Sequence, residues 1–557
     1  MVTVKFLPEN NFVQVNEGTT ILEAARLAGI QIESPCDAAL ICGKCKVKIE
    51  DKFRRNVVQK GNHRLSKEEI FQGYVLSCAT EVRGDITVEL SHGQDNSTLK
   101  ILEEGIGFEV DIDSYIWKKY IPELNITEVF AGKERLSNEE GNTEASSYGI
   151  VVDIGTTTLV VSLINSFNGE EVGSISALNP QAVYAQDVLS RIKFASEENK
   201  LQIMYRAIIV EINRMITELC KAYEVSKDQI YEAVFSGNTC MLHLAAGVNP
   251  YSLGKAPYTP EIYGGEYFKA LDHGLDIASI GLIYFPPIIS AYVGADITSG
   301  VLASQLYQRR GIVLFVDIGT NGEMVIGSEG KLFATSTAAG PAFEGMNISH
   351  GMRAGKGAIE RYEIEESGEI RLKTIEDSEA VGICGSGLLD IVGELVVHGL
   401  VNKNGKLGIT EEKGIPLELQ ERVFKKEGKT NFKVAEDVDL SQKDIRQVQL
   451  AKGAVRAGIE FLLRCQEVKA AEVNEVLIAG SFGYHLSEDS LINIGLLPKE
   501  FAGKVKFVGN TSKTGGKTFL LNQSYKKTME QMVKGIEVIE LANYPDFDRV
   551  FVECLSF

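Results

Sequence analysis

The sequence predicts a multidomain α/β protein: a small β-rich N-terminal domain followed by a larger, internally duplicated α/β module. Three observations predict it. Four cysteines, Cys36, Cys42, Cys45 and Cys78, stand near the start of the 557-residue chain. Composition shifts towards Ser, Asn, Gly, Glu and Asp across residues 91–147. A strand, an acidic tip, a Gly/Thr turn and a second strand occur twice, at Val151–Leu163 and at Phe315–Ile326. The boundaries these imply are a domain at 1–92, a linker at 93–147 and a module at 148–557, with halves of about 148–310 and 311–557.

The cysteines come first. Five residues separate Cys36 from Cys42, two separate Cys42 from Cys45, and Cys78 stands alone in Y-V-L-S-C. A 2Fe–2S cluster takes four thiolates, three from one tight loop and one from a distant segment. A zinc ribbon usually brings two C-x-x-C pairs, and only Cys42 and Cys45 form one. Disulfides need an oxidising compartment. The stretch Met1-Val-Thr-Val-Lys-Phe-Leu-Pro lacks the charged head and apolar core of a signal peptide. The scattered Cys220, Cys240, Cys384, Cys465 and Cys554 read as small buried hydrophobes.

The elements around this loop are short. Residues 2–7 and 11–15 read as strands joined by a turn at Glu9-Asn10. Thr20-Ile-Leu-Glu23 is a capping box that opens a helix from Ile21 to Ala28, ended by Gly29. Strands follow at Lys46–Glu50 and, by alternation, at Asp85–Leu90.

Composition narrows the function. The chain is 44% apolar and 24% charged, ordinary for a globular protein. Its net charge of −19 and the lack of a Lys/Arg run argue against nucleic acid as a partner. No run of about 18 apolar residues is present to span a membrane, so the expectation is a cytoplasmic protein. Within the linker, Phe108–Ile126 holds the sole tryptophan, Trp117, and can form a small ordered element; Leu136–Ser147 reads as solvated chain.

The repeat carries the second chemistry. Each turn can aim backbone N–H groups and hydroxyls at phosphate oxygens: Gly155, Thr156 and Thr157 in the first copy, Gly319, Thr320 and Asn321 in the second. Asp153 and Asp317 stand where they can hold Mg²⁺ through waters. Two such hairpins facing each other would grip a triphosphate from both sides. Glu323 and Glu344 rank below the two aspartates as Mg²⁺ contacts. Asp296 precedes a small-residue run, Gly300–Ser304, that reads as a helix; it is either an N-cap or the residue that orients or deprotonates the attacking water. His243 and His485 read as structural, and T-S-K-T-G-G-K around Lys513 and Lys517 as a surface turn.

The cysteine domain, in its order of elements, resembles a β-grasp ferredoxin, with the five-residue gap of the adrenodoxin-like members. The D-I-G-T tips resemble the two phosphate motifs of the acetate and sugar kinase, heat-shock chaperone and actin superfamily, a duplicated ribonuclease H-like fold. On that resemblance, Leu477-Ile-Ala-Gly480-Ser481-Phe-Gly483 is the adenosine motif. Gly382–Asp390 begins a connecting helix between subdomains, and the loop holding Gly340, Thr337–Gly345, lines the nucleotide cleft.

The combination resembles the reductive activators of corrinoid-dependent enzymes over nearly the whole chain. S-G-N-T at Ser236–Thr239, N-P-Q at Asn179–Gln181, A-Y-V-G-A-D at Ala291–Asp296 and the ending F-V-E-C-L-S-F are family-like. The resemblance implies an ATP-hydrolysing activator that uses a 2Fe–2S cluster and Mg-ATP to return an electron to the Co(II) corrinoid of a methyl-transfer protein. An upstream low-potential electron donor and a homodimer are also implied. Three alternatives stay open: an activator of another low-potential enzyme, a small-molecule kinase with a fused ferredoxin domain, and a nucleotide-binding redox scaffold.

Overall fold

The computed structural model describes residues 1–8, 10–32, 34, 38, 40, 43–61, 64–90, 105–409, 414–426, 428–480 and 486–557. The chain divides into two compact units. One joins Met1–Thr98 with Asn179–Ala207; the other joins Leu99–Leu178 with Ile208–Phe557.

The first unit is built on a five-stranded sheet. Its strands run in the order Asn11–Val15, Val2–Leu7, Ile86–Leu90, Lys46–Ile49 and Tyr74–Leu76. Val2–Leu7 pairs in parallel with Ile86–Leu90, and the other pairs are antiparallel. The helix Ile21–Leu27 starts at Thr20, which accepts the Glu23 N–H while the Glu23 carboxylate accepts the Thr20 N–H. Its apolar face, Ile21, Leu22, Ala24 and Ala25, covers a core of Val4, Phe6, Val47 and Val88. In the second segment of this unit Arg191 is fully buried, its guanidinium donating to the Ala185 carbonyl and to Gln181 Oε1.

In the second unit, residues 116–140 correct the expectation of a linker. They form a three-stranded antiparallel sheet, Ile116–Ile121, Ile126–Ala131 and Glu134–Glu140. The last strand reads E-R-L-S-N-E-E and lies on the sheet edge, so most of its side chains face water and its polarity disguises it. Lys118 anchors the sheet by donating to Glu139 at 2.8 Å and to the Ser146 carbonyl at 3.0 Å.

Two six-stranded sheets follow, and they repeat one topology. The first runs Glu171–Leu178, Thr158–Asn165, Tyr148–Ile154, Ile230–Gly237, Leu282–Phe285, Glu266–Lys269. The second runs Lys331–Thr337, Gly322–Ser328, Val313–Ile318, Glu475–Ala479, Val505–Gly509, with Glu537–Val538 on the far side of Lys331–Thr337. In both, an antiparallel three-strand meander is continued by parallel strands. The central strands are apolar on both faces, as doubly covered sheets require.

The helices Ala295–Ala303 and Thr511–Leu521 pack against each other and join the two sheets. A Cβ on Gly515 would lie 2.1 Å from the Ser299 carbonyl oxygen, so only glycine allows this approach. Val151, Val234, Val301, Phe315, Leu477 and Phe519 form the core shared around the crossing. Two expectations change here. The segment T-S-K-T-G-G-K is no surface turn but the start of a buried helix capped by Asn510. Gly382–Asp390 does lead into a helix, Gly385–Val397, yet that helix packs on the strand Ala358–Ile364 and the helix Glu488–Asn493. Small residues favour close packing in either place, and sequence does not say against what.

Candidate functional site

Two sites emerge, one in each unit. In the first, Cys45 and Cys78 bring their Sγ atoms to 3.1 Å. Hydrogen bonding to Cys78 pulls the Cys45 thiol down to about 6, against the opposing effect of burial. A thiol that ionises so readily is a ready metal ligand. The pair therefore fits a thiolate-held iron centre. Cys36 and Cys42 lie outside the described residues.

The second site is a cleft between the duplicated sheets. Asp153, Gly155, Thr156, Thr157, Asp317, Gly319, Thr320, Asn321, Asp296 and Gly480 all line it. The two hairpins place their turns alike: Gly155 donates to the Thr158 carbonyl and Gly319 to the Asn321 carbonyl, both at 2.9 Å. Glu344 spans the tips, accepting the Thr157 hydroxyl at 2.5 Å and the Thr320 hydroxyl. Asn238, in S-G-N-T, caps the helix Thr239–Ala245 and donates to Thr156 Oγ1 at 3.1 Å. Gly480 has φ +129°, and a Cβ there would meet the Ile318 carbonyl oxygen at 2.4 Å, so the strand end can cross the second hairpin only as glycine.

Charge is concentrated in the cleft. Burial, then the neighbouring Asp317, pushes Asp296 up to about 8. Burial and Asp153 push Asp317 up to about 7. Glu323 is raised well above the ordinary range by burial, then by Asp296 and Asp317. Asp153 is raised by burial, against hydrogen bonds from Ser512 and Asn510. Buried like charges oppose one another's ionisation, and a divalent cation among them offsets that repulsion. Among the described residues no three of these groups converge at ligating distance. The arrangement thus fits Mg²⁺ held with its waters and a triphosphate, which is how Mg²⁺ usually binds.

Asp153 is fixed by the crossing helix. Asn510 Nδ2 donates to Oδ2 at 2.8 Å and Ser512 Oγ to Oδ1 at 2.7 Å. Ser512 also lies 3.0 Å from Ser236 Oγ, which lies 2.9 Å from Ser299 Oγ on the other helix. Each hydroxyl has one proton. Ser512 donates to the carboxylate, and the one proton of Ser236 goes to the Ala295 carbonyl at 3.2 Å.

Asp296 does not cap its helix: the N-cap is Gly294, and Asp296 sits in the first turn with Oδ1 accepting the Ile297 N–H at 2.9 Å. Gly340 is not among the residues lining the cleft; it opens the turn Pro341–Glu344, whose Phe343 and Glu344 are. Ser481, Gly483 and His485 lie outside the described residues. His243 is a satisfied core histidine: Nδ1–H donates to the Thr239 carbonyl at 2.7 Å and Nε2 accepts the Glu261 N–H at 3.0 Å. Asn238, Asn510, Ser512 and Arg353 were missed. The signal for Asn238 and Asn510 was an N-cap ahead of a small-residue helix; Arg353 gave none.

Comparison with known proteins follows this division. Residues 4–83 match the 2Fe–2S iron–sulfur cluster binding domain, residues 148–309 the RACo middle region, and residues 311–557 the C-terminal domain of RACo, the ASKHA domain. The corrinoid activation enzyme RamQ of Eubacterium limosum is 30% identical over 97% of this chain and 96% of its own. The [Co(II) methylated amine-specific corrinoid protein] reductase of Methanosarcina barkeri is 23% identical over 74% of this chain and 77% of its own. Among solved structures, a reductive activator for corrinoid, iron–sulfur protein superposes with a TM-score of 0.73 at 30% identity, covering 100% of this chain and 98% of that one. With a thiol pair in a β-grasp sheet, a carboxylate-lined cleft between duplicated sheets and a relative 30% identical over 97% of the chain, the chain belongs to the family of reductive activators of corrinoid proteins.

Proposed function

We propose that this chain is an ATP-dependent reductive activator that returns one electron to the Co(II) corrinoid of a methyl-transfer protein, restoring Co(I). The observation that carries the reading is the union, in one chain, of the Cys45–Cys78 thiol pair and the acid-lined cleft between paired phosphate-type hairpins. When bound, a 2Fe–2S cluster supplies a one-electron carrier, near −400 mV in plant-type centres. The Co(II)/Co(I) couple of the substrate is more reducing still. For a one-electron gap of about 200 mV, at 59 mV per tenfold, the transfer is uphill by more than three powers of ten, about 4.6 kcal/mol.

The chain's own residues address that deficit through conformation. Cys36, Cys42, Cys45 and Cys78 hold the carrier. Thr156, Thr157, Thr320 and Asn321 present donors to a triphosphate, and Asp153 and Asp317 face its metal. The helix crossing at Gly515 is the pivot between the halves. A nucleotide that favours one setting of the pivot shifts the electron-transfer equilibrium only if that setting also binds the corrinoid protein differently. Asp296, released from capping, holds or takes the proton of the attacking water.

An upstream low-potential donor, a homodimer and a cytoplasmic location belong to the same proposal. Among the described residues no helix is long and apolar enough to cross a membrane. The test is anaerobic. Protein, reductant, ATP and a Co(II) corrinoid protein are mixed, and the visible cobalt bands should move to those of Co(I) only with ATP. Equal reduction without nucleotide, or ATP turnover with no cobalt change, would overturn the reading.

A further inference from the structure

Five carboxylates line the nucleotide cleft: Asp153, Asp296, Asp317, Glu323 and Glu344. Among the described residues one cationic side chain lines it with them, Arg353. Its Nε is buried and has no hydrogen-bond partner. No ion pair ties the guanidinium to any described residue, Glu344 included. A guanidinium carries five N–H donors and no acceptor, and a buried donor left unpaired costs free energy. A site that keeps such a group beside acids without pairing it is built for an anion that comes from outside.

The backbone fixes where in the cleft this group stands. Met352 N–H donates to the Ile383 carbonyl at 2.9 Å, and Ile383 N–H donates to the His350 carbonyl at 2.8 Å. Residues 350–352 are thereby stitched to the short strand Gly382–Ile383. On their other side they touch Gly345: a Cβ there would lie 2.4 Å from the Met352 carbonyl oxygen. Arg353 follows Met352, and Glu344 precedes Gly345. Arg353 is thus held near Glu344, whose carboxylate takes hydroxyls from both hairpin tips, Thr157 and Thr320. That is the phosphate end of the cleft.

We infer that Arg353 reads the terminal phosphate of a bound nucleoside triphosphate and so distinguishes the triphosphate from the diphosphate. The planar fork matches two phosphate oxygens at once, and its charge partly offsets the repulsion between the phosphate and the acids around it. Neither the paired hairpins nor the acidic cluster supplies such a discriminator, since both serve any Mg-bound polyphosphate. The inference rests on the reading of this cleft as an ATP site.

The experiment uses the full chain with Mg²⁺, a β,γ-non-hydrolysable ATP analogue and ADP, with affinities from calorimetry. Arg353→Ala should weaken the triphosphate by about 10- to 100-fold, the size of a charge-assisted contact, and leave ADP nearly unchanged. Arg353→Lys should fall between, because it keeps the charge and loses the fork. Thermal melting of each variant reports the fold. Equal losses for both nucleotides, or no loss for the triphosphate in either variant, would overturn the inference. Wild-type protein that binds neither nucleotide would overturn the assignment of the cleft, and this inference with it.

Discussion

Replacing Ser512 by alanine removes one of the two side-chain hydrogen bonds that hold Asp153. Both bonds favour the ionised carboxylate, and burial opposes it. Losing a donor therefore raises the pH at which Asp153 ionises. A hydrogen bond to a charged group is worth about 1.5–3 kcal/mol, and one pH unit of titration is 1.36 kcal/mol, so the bare loss corresponds to about 1–2 units. Asn510 still donates, and water can enter the space left by the hydroxyl, so the lower figure, about one unit, is expected. The assay is ATP affinity measured with and without Mg²⁺ from about pH 5 to pH 9, bracketing the range in which raised carboxyls titrate. Only the Mg²⁺-dependent part should change, its acidic limb moving up by about one unit. Ser512→Thr keeps the donor and should restore the wild-type profile. An unmoved limb, or a loss that is equal with and without Mg²⁺, would refute the reasoning.

Other expectations are simpler. Cys78→Ser should abolish the visible absorbance of a 2Fe–2S protein and cobalt reduction while ATP binding persists, as the thiol and the cleft lie in separate units; retained absorbance would show that Cys78 is no ligand. Asp296→Asn should lower ATP hydrolysis by about 100-fold or more, the range of general-base contributions, with ATP affinity and melting temperature unchanged because the amide keeps an oxygen to accept the Ile297 N–H; unchanged turnover would remove it from the chemistry. Metal-free protein should lose stability as pH rises. Asp317 at about 7 and Asp296 at about 8 hold their protons in the fold to a far higher pH than the unfolded chain does at about 3.9. Their contribution is full below about pH 4 and is lost as pH climbs through 7 to 8. The melting temperature in chelator should therefore fall between about pH 5 and pH 8, and Mg-ATP should restore most of it at pH 8; a flat or rising profile would show that these acids are not mutually destabilised.

The sequence by itself determined what local pattern can encode. Spacing pointed to four cysteines round one cluster, of which Cys45 and Cys78 meet and Cys36 and Cys42 lie outside the described residues, and the Thr20–Glu23 capping box gave its helix within a residue. The D-I-G-T repeats gave both hairpins, because each is a few residues of strand and turn whose chemistry is contiguous. Only the tertiary structure decided what depends on packing partners. Glu134–Glu140 looks solvated in sequence because an edge strand may be polar on nearly every side chain; its pairing with Ile126–Ala131 makes it sheet. Thr511–Lys517 looks like a turn because Gly, Ser and Thr serve turns and tight helix crossings equally, and the Ser299 backbone against Gly515 selects the crossing. Asp296 reads in sequence as either a cap or a catalytic acid, and in the fold Gly294 takes the cap position while the Asp296 carboxylate lines the cleft with Asp153, Asp317, Glu323 and Glu344. Arg353 had no motif at all. Its place follows from main-chain hydrogen bonds to Ile383 and contact with Gly345, which are distant in sequence and meet only when the second half folds.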